Sequence, residues 1–225
     1  FVAILVGRCV MNGSGFSRRD LLPIAAVGAV GLGLTAMLRS RAPIGRDVSE
    51  NVTARSILTD ATLPGEGPVG ADLTMAVFTD YQCGACRRAA PELAAAVRQD
   101  GRVRLLYKDW PIFGAVSEFA ARVALAADRQ GLYTPVHHAL MAQPLPLDRE
   151  KMHRAVADAG GDWTRIERDI RDFDTSITAA LRRTQADAFA LGLQGTPSFV
   201  IGSRLVVGAR DRMVFQRAFA EAREA

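Results

Sequence analysis

Past its first 45 residues the 225-residue sequence carries no net charge: five arginines against one aspartate in residues 1–45 account for the whole formal excess of +4. A neutral body has no basic stripe to neutralise phosphates, so nucleic-acid binding is excluded as the reading of the pI near 9.3. Cysteine is scarce, with three in all, and there is no second Cys-X-X-Cys pair. A closed four-cysteine zinc site is therefore excluded. Histidine is equally scarce. His137, His138 and His153 all fall in one helical stretch, where lone core or surface histidines are the ordinary reading, so no metal or other cofactor is implied. No internal repeat and no dimerisation element is visible. Hydrophobic residues make up 49% and charged residues 23%, a mixture unsuited to disorder or to a multi-span membrane protein.

The single long apolar run, residues 21–38, sits behind Met11 and the stretch MNGSGFSRRDLL, and is followed at once by Arg39, Arg41 and Pro43. Basic residues, an apolar segment and a polar exit are the layout of an export signal, and the adjacent Arg18 and Arg19 resemble the twin-arginine type. As a helix those 18 residues would reach about 27 Å, marginal against a hydrocarbon core of about 30 Å. Residues 1–45 are thus expected to be an export signal or an uncleaved membrane anchor starting at Met11, with membrane contact through residues 21–38. Residues 46–70, with Pro64, Pro68 and several glycines, read as a linker.

From there the order of elements is that of an α/β domain spanning residues 71–225. LTMAVFT, residues 73–79, is a buried strand. A helix starts at Cys83 and runs to about Gln99, with Pro91 expected to kink it. Residues 103–107 form a second strand, parallel to the first through a right-handed crossover. Residues 117–191 are a helical insert, for which Thr134, Asp148 and Asp162 are N-cap signals. A hairpin at residues 198–207 and a helix from about Asp211 close the chain.

Two of the three cysteines form Cys83-Gly84-Ala85-Cys86 at the junction of the first strand and its helix. Positions three apart in a first helical turn share a face, within reach of a disulfide. The positive end of the helix and its unpaired N–H groups favour a thiolate at Cys83, expected as the exposed nucleophile, with Cys86 one turn deeper as the resolving thiol. Arg87 and Arg88 add nearby positive charge. A structural staple is a poor alternative, since closing so short a loop constrains the unfolded chain little. A periplasmic copper- or zinc-binding or chaperone-like module, using the pair as ligands, is the rival in a different class.

FTDYQCGAC, then YKDWP, then GTPSF at residues 195–199 together resemble the DsbA-like branch of the thioredoxin superfamily over about residues 71–222. The resemblance implies a thioredoxin-like fold with a helical insertion and protein thiol-disulfide oxidoreductase activity in an extracytoplasmic compartment. It also implies a cis Thr196-Pro197 peptide against the cysteine pair, with the Thr196 backbone free to pair with an extended substrate. The implied partners are unfolded or folding exported proteins with cysteines and a membrane or soluble redox partner. Two departures stand out. Val77 occupies the place, six residues before the nucleophile, where the family has a buried acid, so proton transfer to Cys86 is left to Lys108, Asp80 or water. The Gly84-Ala85 dipeptide, which tunes the redox poise, also differs from the common versions and leaves the direction open; the exported setting, where disulfides persist, favours oxidase over reductase or isomerase.

Overall fold

The computed structural model describes residues 43–68 and 70–224. The expected export signal or anchor, the apolar stretch at 21–38 and Cys9 lie outside the described residues. Among the described residues no helix is long and apolar enough to cross a membrane.

The elements in chain order are β1 (Arg46–Asp47), α1 (Val52–Leu58), β2 (Gly65–Glu66), β3 (Leu73–Thr79), α2 (Gly84–Asp100) and β4 (Val103–Asp109). Then come the insert helices α3 (Ala115–Asp128), α4 (Tyr133–Ala142), α5 (Arg149–Asp158), α6 (Trp163–Asp172) and α7 (Asp174–Ala190), followed by β5 (Ser198–Ile201), β6 (Arg204–Val207) and α8 (Arg212–Glu224). They build a six-stranded sheet in the order β1-β6-β5-β3-β4-β2. β3 and β4 are parallel, with Val77 beside Tyr107 and Thr79 beside Asp109. The other pairings are antiparallel.

β3 is apolar along its length because it is flanked on both edges and covered on both faces. Alternation divides it: Leu73, Met75 and Val77 face α2, the insert and α8, whereas Ala76 and Phe78 face a second cluster with Leu106, Trp110, Ala188 and Leu191. α2 buries Cys86, Ala89, Leu93, Ala96 and Val97 at helical spacing. It runs unbroken through Pro91 to Asp100 and stops at Gly101, whose left-handed conformation (φ 71°) lets its N–H return to the Val97 carbonyl at 2.9 Å.

Residues 46–70 depart from the linker expected of them. β1 and β2 close the two edges of the sheet, on β6 and β4, while α1 buries Ala54 and Ile57 in the second cluster. Glycine makes this possible at both ends. Gly45 (φ 79°) and Gly67 (φ 100°) lie so close to the Leu205 and Val103 carbonyls that a Cβ at either would collide with them. In the insert, Asp148 and Asp162 cap α5 and α6 by accepting the N–H of Lys151 and Arg165 at 2.8 and 3.1 Å. Thr134 is not a cap: α4 begins at Tyr133, so Pro135 falls in the first turn, where its missing N–H costs nothing.

Candidate active site

The strand-to-helix junction after β3 brings Cys83, Gly84, Ala85 and Cys86 together with Thr196 and Pro197. Cys83 caps α2 (φ −77°, ψ 111°), and its Sγ accepts the Cys86 N–H at 3.3 Å. On the other side it donates to the Thr196 carbonyl at 3.4 Å. Both cysteines are free thiols. Thr196-Pro197 is cis, and Pro197 and Cys86 line the same small cavity. Gly84 has room for a methyl group, which would meet only the end of the Arg88 side chain.

Cys83 is not the exposed tip expected of a nucleophile. It is 4% exposed and Cys86 2%, because the Thr196-Pro197 segment lies over the sulfur. The electrostatics nevertheless separate the two thiols. The hydrogen bond from the Cys86 thiol, chiefly, holds Cys83 down to about 5 from its ordinary 9.0, against the opposing effect of burial; the N–H groups of Cys86 and Ala85 add to it. Burial, and the bond to Cys83, push Cys86 well above the usual thiol range. Cys83 is thus the more acidic sulfur of the pair and Cys86 the more basic.

Asp80, buried at 1% exposure, organises the surroundings. One carboxylate oxygen accepts Gln82 N–H at 2.7 Å and Ser117 O–H at 2.6 Å; the other accepts the N–H groups of Ile112 and Phe113 at 2.7 and 3.2 Å. Its own carbonyl accepts the Cys83 N–H at 3.1 Å. With both oxygens engaged, Asp80 fixes loops and is badly placed to shuttle protons. Lys108 is worse placed for the role allowed it. It shares the parity of Leu106, so it lies on the opposite face of the sheet from Cys86 and bonds Asp187 at 2.6 Å.

Arg87 is no solvated neighbour. Its Nε donates to the Tyr81 carbonyl and its Nη1 to those of Met141 and Gln143, tying α2 to the end of α4. Gln82 makes a second tie, accepting the Leu147 N–H at 2.9 Å. Arg88 is exposed.

A buried polar cluster beneath the cysteines went unread in the sequence. The Tyr81 hydroxyl lies 2.9 Å from His137 Nδ1, Tyr133 donates to Asp109 Oδ2 at 2.9 Å, and Tyr107 donates to Glu66 at 2.7 Å. His138 pairs with Glu66 at 3.2 Å, and His153 packs by Trp163. The only available signal was the density of tyrosine and histidine near the motifs, which does not reveal pairing across 56 residues.

A sheet of this order, with a Cys-X-X-Cys pair capping the helix after its central strand and a cis-proline peptide against it, defines the thioredoxin-like oxidoreductases. The profile of the DSBA-like thioredoxin domain matches residues 74–220, and the chain belongs to that family of thiol-disulfide oxidoreductases. A thioredoxin-like oxidoreductase from Silicibacter pomeroyi DSS-3 superposes with a TM-score of 0.71 at 39% identity, covering 76% of this chain and 97% of that one. The thiol-disulfide exchange protein alpha-DsbA2 from Wolbachia pipientis superposes with a TM-score of 0.71 at 28% identity, covering 76% and 96%. A periplasmic thioredoxin-like protein from Salmonella enterica serovar Typhimurium does so at 0.66 and 26%, covering 78% and 98%. A curated relative of another kind is the Na(+)/H(+) antiporter NhaA of Herminiimonas arsenicoxydans, 30% identical over 149 residues, which are 64% of this chain and 23% of the antiporter. The chain spans about a quarter of the length of the first curated relatives it matches.

Proposed function

We propose that this protein oxidises cysteines in exported proteins, with Cys83 as the exchanging sulfur and Cys86 as its resolving partner. The observation that carries the reading is the place of Cys83 at the N-cap of α2, its Sγ accepting the Cys86 N–H at 3.3 Å with Cys86 buried one turn below; this setting lowers Cys83 and raises Cys86. A stabilised thiolate favours the reduced pair, and a pair that prefers to be reduced is an oxidant toward others.

In the oxidised enzyme a substrate thiolate attacks Cys83 Sγ. A bond forms between the substrate sulfur and Cys83, the Cys83–Cys86 bond breaks, and Cys86 leaves with the electron pair and takes up a proton. A second substrate thiolate then attacks its own bridged sulfur, and Cys83 leaves as a thiolate. The substrate has lost two electrons and the pair has gained them; a separate redox partner must remove them. Substrate entry requires the segment at Thr196 to yield the sulfur it covers, and the freed Thr196 carbonyl then becomes available to an extended chain. Ile112, Phe113 and Leu145, 40%, 56% and 42% exposed, offer apolar surface on the loops that Asp80 and Gln82 hold beside the pair, suited to unfolded segments.

The compartment is read as extracytoplasmic, as for the periplasmic Salmonella relative, with residues 1–45 directing export or holding the protein at the membrane. Disulfides persist there. Among the described residues no group of three or more His, Cys, Asp or Glu could hold a metal ion. The deciding experiment equilibrates the protein with glutathione buffers and follows refolding of a reduced, disulfide-containing protein. The expected result is a potential above that of thioredoxin and catalysed disulfide formation. A thioredoxin-like potential with insulin reduction alone would replace the oxidase reading with a reductase.

A further inference from the structure

Val77 leaves the resolving thiol without an acid on β3, yet Cys86 must shed and regain a proton in every cycle. Val77, Cys86, Tyr107, His137 and Pro197 border a cavity of about 20 Å³, room for about one water. His137 is 3% exposed, and its Nδ1 is occupied by the Tyr81 hydroxyl at 2.9 Å, which leaves Nε2 as the ring's other proton site. The Tyr81 hydroxyl also lies near enough to the Asp109 carboxylate for each to shift the other's acidity. Asp109 is 4% exposed, receives Tyr133 on Oδ2 at 2.9 Å, and keeps Oδ1 buried without a hydrogen-bond partner. An orphan oxygen on a buried carboxylate is a site where a proton would be at home.

We propose that Asp109, acting through Tyr81 and His137, is the proton station of the Cys86 thiol. The proposal rests on the exchange reading above. When Cys86 attacks a mixed disulfide on Cys83, its S–H proton passes to His137 Nε2, directly or through one water. The Nδ1 proton moves to the Tyr81 oxygen, and the Tyr81 hydroxyl proton moves to the Asp109 carboxylate. The Cys86–Cys83 bond forms, the Cys83–substrate bond breaks, and the substrate sulfur leaves with the electron pair. His137 and Tyr81 end neutral, and Asp109 ends protonated. When a substrate thiolate opens the enzyme's disulfide, the same steps run backwards and deliver the proton to Cys86.

The energetics suit these roles. Burial raises Asp109 to about 7, the Tyr133 and Tyr81 hydroxyls restrain it, and the Asp80 charge pushes it further up. Burial, with His138 adding to it and Glu66 opposing, lowers His137 to about 3, so the ring passes a proton without storing one. The titratable groups around Asp109 are Tyr81 ahead of α2, Asp80 after β3, Tyr107 on β4, and Tyr133 and His137 on α4. An acceptor near 7 makes attack by Cys86 faster as pH rises through that value, and makes release of Cys86 faster below it.

The test separates the two chemical steps in the reduced full chain. The protein is mixed with glutathione disulfide, quenched in acid, and resolved by mass into dithiol, glutathione-linked and disulfide forms. Formation of the link reports Cys83; its conversion to the disulfide reports Cys86. Asp109→Asn is expected to slow conversion at least tenfold at pH 8 and to erase its rise between pH 6 and 8, with link formation as the internal reference. Asp109→Glu should restore the pH profile, and Tyr81→Phe, which keeps the ring and removes the relay oxygen, should reproduce the loss if Asp109→Asn does not fold. Conversion with wild-type rate and pH profile in Asp109→Asn or Tyr81→Phe overturns the proposal, as does equal slowing of both steps. Failure of the wild-type protein to form a link on Cys83 would instead overturn the exchange reading.

Discussion

Lowering the pH from 8 to 5 should strip the reduced protein of a stability that the oxidised protein never had. Cys83 is depressed from 9.0 to about 5 in the folded dithiol. A group whose folded pKa lies below its unfolded one stabilises the fold above the unfolded value and loses that contribution as pH falls through the folded value. At about 1.4 kcal/mol per unit, the contribution is roughly 4 kcal/mol at pH 8, roughly 3 at pH 7 and under about 1 at pH 5. Cys86 adds nothing in this window, since it is protonated in both states below pH 9. Urea unfolding of reduced and oxidised protein across pH 5 to 8 isolates the effect, because the surface carboxylates titrate in both forms and cancel in the difference. The same free energy makes the pair about 60 mV more oxidising at pH 7 than an unshifted one, and its potential should fall by only about 30 mV per pH unit above pH 5, one proton accompanying two electrons. A reduced-minus-oxidised difference that stays flat from pH 5 to 8, or a slope of about 59 mV per unit, would refute the thiolate at Cys83.

Asp80→Ala removes four hydrogen bonds to one buried carboxylate and should cost roughly 3 kcal/mol or more in urea unfolding, with faster hydrogen exchange at the Ile112 and Phe113 amides. The Lys108–Asp187 pair should respond asymmetrically, because the ammonium is 1% exposed and the carboxylate 23%. Lys108→Met, which returns Asp187 to water, should change stability by no more than about 1 kcal/mol. Asp187→Ala strands the buried ammonium and should cost about 3 to 5 kcal/mol, read from the same unfolding curves.

The long, strongly patterned pieces were legible in the sequence. LTMAVFT is β3 to the residue, and the CGAC tetrapeptide sits at the strand-to-helix junction where its spacing put it. What lay hidden was short or non-local. β1 and β2 are two residues each, too short for any alternation, and only the sheet edges they complete reveal them. The opposite placements of Lys108 and Asp109 follow from strand parity, but which face carries the cysteine helix is settled by packing. Likewise the cluster of Tyr81, Asp109, Tyr133 and His137 joins a loop, β4 and α4, whose proximity no local pattern encodes. The cover over Cys83 comes from a peptide 113 residues away.

The exchange account stands or falls on which sulfur a substrate reaches first. Cys86→Ser, incubated in its reduced form with a cystine-bridged peptide, should accumulate a single mixed disulfide, and peptide mapping should place all of it on Cys83. A stable link on no residue, or capture by Cys86 in a Cys83→Ser protein at an equal rate, would contradict it.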